Sequence, residues 1–252
     1  MKKERLQIAT ERGHVLAAQL DSPADRTPVA YAVFCHCFTC GKNLKAIGNI
    51  SRVLTEAGLA VLRFDFTGIG ESGGEFSETG FTDNVNDILA VSRYLEQEYQ
   101  GPALLVGHSL GGTAAIAAAP EIKSCVAIAT IASPLEPGDV ARRFLDKKPD
   151  VERNGHAQIQ IGGISYKIKD HFFAALERES LRTTLESLDK ALLILHSPAD
   201  ETVSIAEATR LYSAARHPKS FVSLDNIDHL MSHKKDAEYV GGIIAAWVKH
   251  YL

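Results

Sequence analysis

Five short runs constrain this chain most: PVAYAVFCH (28–36), AVLRFDF (60–66), PALLVGH (102–108), SCVAIATIAS (124–133) and ALLILHS (191–197). Each has the length of a strand and is nearly apolar throughout. A strand with one wet face would alternate polar and apolar residues. Runs like these belong to strands covered on both faces. Segments of helical period separate them. Residues 43–58 end at the capping glycine Gly58, residues 81–100 begin with Thr82 or Asp83 as cap, and residues 109–120 stop at Pro120. After ALLILHS come a helix over 204–216, a strand SFVSL (220–224) and a helix over 237–252. Strand and helix in alternation predict an α/β fold with a mainly parallel sheet and helices on both faces. Two further strands, RLQIAT and HVLAAQL, precede it, joined at Glu11-Arg12-Gly13.

The alternation lapses over residues 134–188. A charged helical stretch is followed by HAQIQIGGISYKI, whose period of two on both sides of Gly162-Gly163 signals a hairpin. A helix over 171–187 completes the segment. About 55 residues exceed an ordinary connection, so this is expected to be a cap inserted into one domain spanning 1–252. With 45% hydrophobic and 23% charged residues, the chain is ordinary globular material. Its charge of −4 comes without a basic block, which argues against a nucleic-acid surface. No apolar run reaches membrane-spanning length, and MKKERLQIATERGH lacks the apolar core of a signal peptide. Four cysteines without a spread-out framework fit a reducing compartment, hence a cytoplasmic protein.

The third apolar run leads into GHSLGG, with Gly107, Ser109 and Gly111 as G-x-S-x-G between a strand and an alanine-rich helix. That context is what a nucleophile elbow requires. A tight turn strains the serine backbone and lifts its hydroxyl above the sheet edge. Side chains at the flanking positions would collide there. A glycine-rich turn with a serine cap is the bland rival.

A serine hydroxyl needs a base, and the base needs an orienting acid. The loop after ALLILHS offers Asp200 and Glu201; Asp200 is nearer the strand end and is preferred. The loop after SFVSL offers His229, with Asp228 beside it as a less well-aimed partner. The order serine, acid, histidine is that of the α/β elbow enzymes. Backbone N–H groups of Leu110, after the serine, and Phe38, after the first apolar run, would receive an oxyanion. His108 lies inside the elbow pointing away from Ser109, and His196 packs beneath the site.

Phe38 sits within VFCHCFTC (33–40), which holds Cys35, Cys37 and Cys40; the fourth cysteine is Cys125. One C-x-C-x-x-C without a second pair is a poor zinc site. Cys35 reads as a small buried hydrophobe, on the same face as Cys37 if the strand continues that far. A reversible disulfide or a sulfenic acid at Cys37 or Cys40 is the chemical alternative to plain packing.

HCFTCGKN, VLRFDFTGIGESGGEF, LLVGHSLGGTAA, HSPADETVSI and HPKSFVSLDNIDHL together resemble the α/β-hydrolase superfamily, in particular the hydrolase half of bacterial proteins fused to an OsmC-like peroxide-handling domain. The resemblance implies an eight-stranded, mostly parallel sheet and a triad of Ser109, Asp200 and His229. It implies that RFDFTGIGESGG lines the site, with Gly68 and Gly70 keeping the backbone close. The family's His-Gly is His36-Cys37 here. The chain ends with the hydrolase portion, so peroxidase activity is not carried over. The expected function is hydrolysis of small or short-chain carboxylic esters or thioesters through an acyl-enzyme, with no cofactor. His36, Cys37, Thr39, Gly68 and His108 are expected to bind substrate. Amide or peptide cleavage, and a redox-responsive protein built on the CxCxxC loop, are the alternatives. The expected partners are a small ester and a second copy of the chain as a homodimer, not nucleic acid or membrane.

Overall fold

A computed structural model describes residues 1–161, 164–173 and 181–252. Eight strands form one sheet: β1 (Lys2–Ala9), β2 (Val15–Ser22), β3 (Ala30–Cys35), β4 (Leu59–Phe64), β5 (Leu104–His108), β6 (Ala127–Ile131), β9 (Ala191–His196) and β10 (Lys219–Ser223). Their order is β1-β2-β4-β3-β5-β6-β9-β10. From β4 to β10 all neighbours are parallel, while β2 runs antiparallel to both β1 and β4. The five apolar runs of the sequence are thus parallel strands, as their two-faced burial demands, while the sixth, β10, lies half-exposed at the sheet edge.

Successive side chains of a strand point to opposite faces, and this splits the core in two. Ala32, Phe34, Val61, Leu104, Val106, Leu193 and Leu195 meet α1 (Lys45–Glu56) and the last helix, α8 (Lys234–Val248), through Ile47, Ile50, Val240 and Ile244. Val33, Cys35, Leu62, Leu105, Ile128 and Leu192 meet the other layer, which includes α2 (Phe81–Glu98), α3 (Leu110–Ala118) and α7 (Ala206–Ala214). Each fully buried large side chain contributes about 1.5–3 kcal/mol.

One charged residue interrupts the apolar logic. Arg63 in β4 is 5% exposed, and its Nε donates to Asp21 Oδ2 at 2.8 Å. Ser51 Oγ donates to the same oxygen at 2.7 Å, and the guanidinium also donates to the Lys42 carbonyl. A buried charge is retained only when paired in this way.

The cap for α2 differs from expectation. Gly80 holds the N-cap position, and Asp83, at the third helical residue, accepts the Gly80 N–H at 2.8 Å. A carboxylate there satisfies a donor that the helix itself cannot.

Between β6 and β9 the chain forms α4 (Gly138–Arg142), α5 (Lys148–Asn154), a hairpin of β7 (Ala157–Ile161) and β8 (Ile164–Ile168), and α6 (Arg182–Ser187). The hairpin pairs Ala157 with Ile168 and Ile161 with Ile164, so its register follows the period-two pattern. Its Gly162-Gly163 turn lies outside the described residues. Of the helix expected over 171–187, residues 170–173 are helical and α6 begins separately after its N-cap Leu181; residues 174–180 lie outside the described residues. Among the described residues no helix is long and apolar enough to cross a membrane.

Candidate active site

Chain order and strand order disagree at one place. From β3 the chain moves outward to β4, then crosses back to β5 on the other side of β3. The loops after β3 and β5 therefore diverge, and a crevice opens between their carboxyl ends, where open α/β sheets take their ligands. The loops after β9 and β10 end on the same edge, because these strands are parallel to β5.

Ser109 occupies the β5–α3 turn with φ 54° and ψ −127° and is 6% exposed. A non-glycine residue at positive φ is strained, and strain of this kind clusters at functional turns. The Ser109 N–H is anchored on the Ile131 carbonyl at 2.8 Å. The glycines on either side are required by proximity. A Cβ on Gly111 would strike the carbonyl oxygens of Cys35 and His36, and one on Gly107 would strike the backbone at Gly111 and Gly112. Glycine here lets α3 sit directly on the end of β3.

After β10, His229 presents Nδ1 to Asp200 Oδ2 at 2.8 Å. The other Asp200 oxygen accepts the N–H groups of Thr202 at 2.7 Å and Val203 at 2.9 Å. Burial works against the charged carboxylate, but the His229 bond and the Val203 and Thr202 amides outweigh it and hold the Asp200 carboxyl below its ordinary range. A carboxylate accepting at Nδ1 leaves the proton on Nδ1 and the lone pair on Nε2, the form a general base needs.

Two more histidines brace this pair. His108, fully buried, approaches the His229 carbonyl with Nε2 at 2.8 Å, and the two rings lie 5.0 Å apart. His196, also fully buried, approaches the Val203 carbonyl at 2.9 Å. A carbonyl only accepts, so both Nε2 atoms carry protons. Burial pushes His108 down to about 3 and lowers His196 as well, so both rings stay neutral. His196 thus lies beneath the site as expected. His108 turns away from the elbow serine, as its position in the motif implies, but it is not the substrate contact also expected of it: it lies behind His229 and holds its backbone.

Next to the elbow, a cleft is lined by Cys37, Phe38 and Thr39 from the β3 loop and by Leu110 and Gly111, the two residues after Ser109; Ser109 and His229 themselves are not among the residues lining it. Phe66, Ile69, Phe76, Phe81 and Phe172 make it apolar; Thr79 and Asn84 add polar groups to its lining. The Phe38 ring lies 5.6 Å from Phe76, 5.7 Å from Phe172 and 6.1 Å from Phe144, the latter two from the segment between β6 and β9. That aromatic lining was not read from the sequence, because Phe76, Phe144 and Phe172 are far from Phe38 along the chain; Phe76 closes the run VLRFDFTGIGESGGEF, and Phe144 and Phe172 belong to no motif.

The other expected substrate contacts divide. Cys37 and Thr39 line the cavity. His36 touches it too but is 1% exposed and serves as a pin: Nδ1 meets the Cys37 carbonyl at 2.7 Å, and Nε2 accepts the Phe66 N–H at 3.1 Å. Burial lowers its pKa, consistent with a neutral ring in that role. Gly68 is not among the residues lining the cavity. It has φ 75°, and a Cβ there would strike the backbone of Glu75 and Phe76, so it lets the loop fold onto itself. Gly70 plays a similar part against the Asp65 carboxylate.

Asp65 ties the β3 loop to β4. It accepts the Lys42 N–H and the Lys42 ammonium, both at 2.6 Å. Within the loop, β3 ends at Cys35, so strand alternation does not reach Cys37. Cys37 and Cys40 form a disulfide with their Cα atoms 5.3 Å apart. The residue at positive φ in this loop is Thr39, at 60°.

The chain belongs to the alpha/beta hydrolase family, whose sequence profile it matches over residues 32–241. The esterase domain of a Rhodothermus marinus protein is 45% identical and superposes with a TM-score of 0.81, covering all of this chain and 99% of that one. Est1E from Butyrivibrio proteoclasticus, solved with ferulic acid, shares the fold at 22% identity and a TM-score of 0.84 over 98% of each chain. The human mitochondrial palmitoyl-protein thioesterase ABHD10 is 26% identical over 197 residues, 72% of this chain and 60% of its own length. Uncharacterized protein YfhR of Salmonella typhimurium is 26% identical over 201 residues, 80% of this chain and 65% of its own. The chain therefore spans about 60–65% of the length of these two relatives. It has the α/β-hydrolase fold, with esterases among its structural neighbours.

Proposed function

We propose that the chain is a serine esterase using Ser109, His229 and Asp200. One observation carries the reading: a strained serine elbow and a histidine oriented by a buried carboxylate share one sheet edge. His229 Nε2 takes the Ser109 proton as Oγ adds to the ester carbonyl. Asp200 stabilises the imidazolium and keeps its own charge. The N–H groups of Phe38 and Leu110 receive the oxyanion. Leu110 is the first residue of α3, so its N–H has no acceptor within the helix. The imidazolium returns its proton to the leaving alcohol. Water, deprotonated by the same nitrogen, then clears the acyl group and restores the serine.

The aromatic walls around Phe38 suit an apolar acyl group that is short or flat, carried as an ester or thioester. The names of the Rhodothermus and mammalian relatives support ester and thioester chemistry, while the palmitoyl group in the latter is a long acyl chain. The test is fluorophosphonate labelling of wild type and Ser109→Ala, alongside hydrolysis of p-nitrophenyl acetate, butyrate and octanoate. Labelling and turnover should vanish together in the variant. A wild type that neither labels nor turns over would refute the reading.

A further inference from the structure

Ester hydrolysis uses no sulfur, yet a disulfide closes the loop that carries Phe38. The ring is small: Cys37 and Cys40 enclose only Phe38 and Thr39. Inside it the Cys40 N–H donates to the Cys37 carbonyl at 3.1 Å, and Thr39 is held at φ 60°, a conformation a β-branched residue avoids. Both flanks are anchored without the cross-link. Upstream, His36 is fixed by the Phe66 N–H; downstream, Lys42 is fixed on Asp65. What the cross-link adds is therefore confined to Phe38 and Thr39. Thr39 also reaches outward, since its carbonyl accepts the Tyr166 hydroxyl of β8 at 3.1 Å.

The remaining cysteines are unsuited to thiol chemistry. Cys35 and Cys125 are buried, and burial pushes both thiols up, Cys125 to about 12. Cys40 is partly exposed, whereas Cys37 is 3% exposed. A reductant thus has access at Cys40.

We propose that Cys37 and Cys40 form a reversible dithiol–disulfide site that sets the activity of Ser109 through the position of the Phe38 N–H. This rests on the esterase reading. The reductant is a dithiol, small or protein-borne. Its thiolate attacks Cys40 Sγ, the Cys37–Cys40 bond breaks, and Cys37 leaves as a thiolate and takes a proton. The reductant's second thiol then resolves the mixed disulfide, freeing Cys40 as a thiol and leaving the reductant oxidised. Two electrons and two protons move to the protein, and an oxidised disulfide compound reverses the exchange. In the disulfide form the loop presents the N–H; in the dithiol form Thr39 relaxes from positive φ and carries the amide away.

The experiment compares oxidised and dithiothreitol-treated wild type, with thiols counted by iodoacetamide labelling and mass spectrometry. It reads kcat and KM for p-nitrophenyl butyrate, and hydrogen exchange of the amides over 37–43. Loss of one oxyanion donor costs about 10²–10³ in kcat, so a partly displaced donor should lower kcat at least roughly tenfold, with KM moving less than about twofold. Oxidised glutathione should restore it. Cys40→Ser should be fixed at the reduced rate and ignore reductant, while Cys125→Ala should keep the response. Unchanged kcat and unchanged exchange with both thiols free would overturn the proposal, as would a Cys40→Ser variant that still responds. If oxidised wild type hydrolyses no ester and Ser109 does not label, the esterase reading fails instead. Exchange then decides the site alone: faster exchange on reduction supports the switch, and unchanged exchange sinks it.

Discussion

Replacing His108 by leucine should produce a stability difference that depends on pH, in a direction the structure dictates. The ring is fully buried and its Nε2–H donates to the His229 carbonyl at 2.8 Å. Leucine has similar volume, so the main loss near neutral pH is that bond and the carbonyl left unsatisfied, about 1–3 kcal/mol. Among the described residues the buried Nδ1 of His108 has no hydrogen-bond partner, which favours the low end of that range. Acid changes the balance. The His108 pKa falls from 6.5 in the unfolded chain to about 3 in the fold. Below 6.5 the unfolded histidine takes a proton that the folded one refuses, so wild-type stability drops as pH falls toward about 3. Each pH unit costs about 1.4 kcal/mol, so near pH 4.5 this group alone removes about 3 kcal/mol. The leucine variant has no such group. Its deficit at about pH 7.5 should shrink to nothing or reverse at about pH 4.5. Urea unfolding of both proteins at both pH values measures this, and the other titrating groups largely cancel in the difference. A difference that is the same at both pH values would refute the claim that His108 is held neutral by burial.

Other outcomes follow from the same contacts. Asp200→Asn should leave the fold intact and lower kcat by about 10⁴ with little change in KM, read by ester hydrolysis and by the rate of fluorophosphonate labelling. Phe76→Ala removes a wall 5.6 Å from Phe38 and should raise the octanoate-to-butyrate ratio of kcat/KM by about tenfold or more. Lys42→Met leaves the 2%-exposed Asp65 carboxylate without its ammonium partner and should cost about 3–5 kcal/mol in urea unfolding.

The sequence was most informative where chemistry and backbone demand the same residue locally. Apolar runs at strand length named five of the six parallel strands; β10, at the edge of the sheet, is only partly buried and was read from SFVSL instead. The G-x-S-x-G turn was legible because only glycine lets α3 sit on the end of β3. Asp200 and His229 were legible because parallel strands deliver their following loops to one edge, so chain order alone narrows the choice. The hydrogen bond between those two residues agrees with that reasoning. The α2 cap was misplaced because an Asp three residues into a helix can reach back to the N-cap amide, which makes the pattern FTD ambiguous by a turn.

What the amino-acid order could not decide depends on side chains meeting across large separations. His108 was assigned to substrate, but its ring turns under the site to a carbonyl 121 residues away. Gly68 was assigned to the pocket wall, but it serves the fold of its own loop. Phe38, Phe76, Phe144 and Phe172 meet only after the segment between β6 and β9 is laid over the β3 loop. Cys37 and Cys40 were visible as a pair with several chemical options, and only the turn at Thr39 brings their Cα atoms to 5.3 Å and selects the disulfide. Periodicity and glycine placement are local constraints that sequence alone determines. Ring contacts, buried donors and cross-links depend on loop closure, and the tertiary structure decides them.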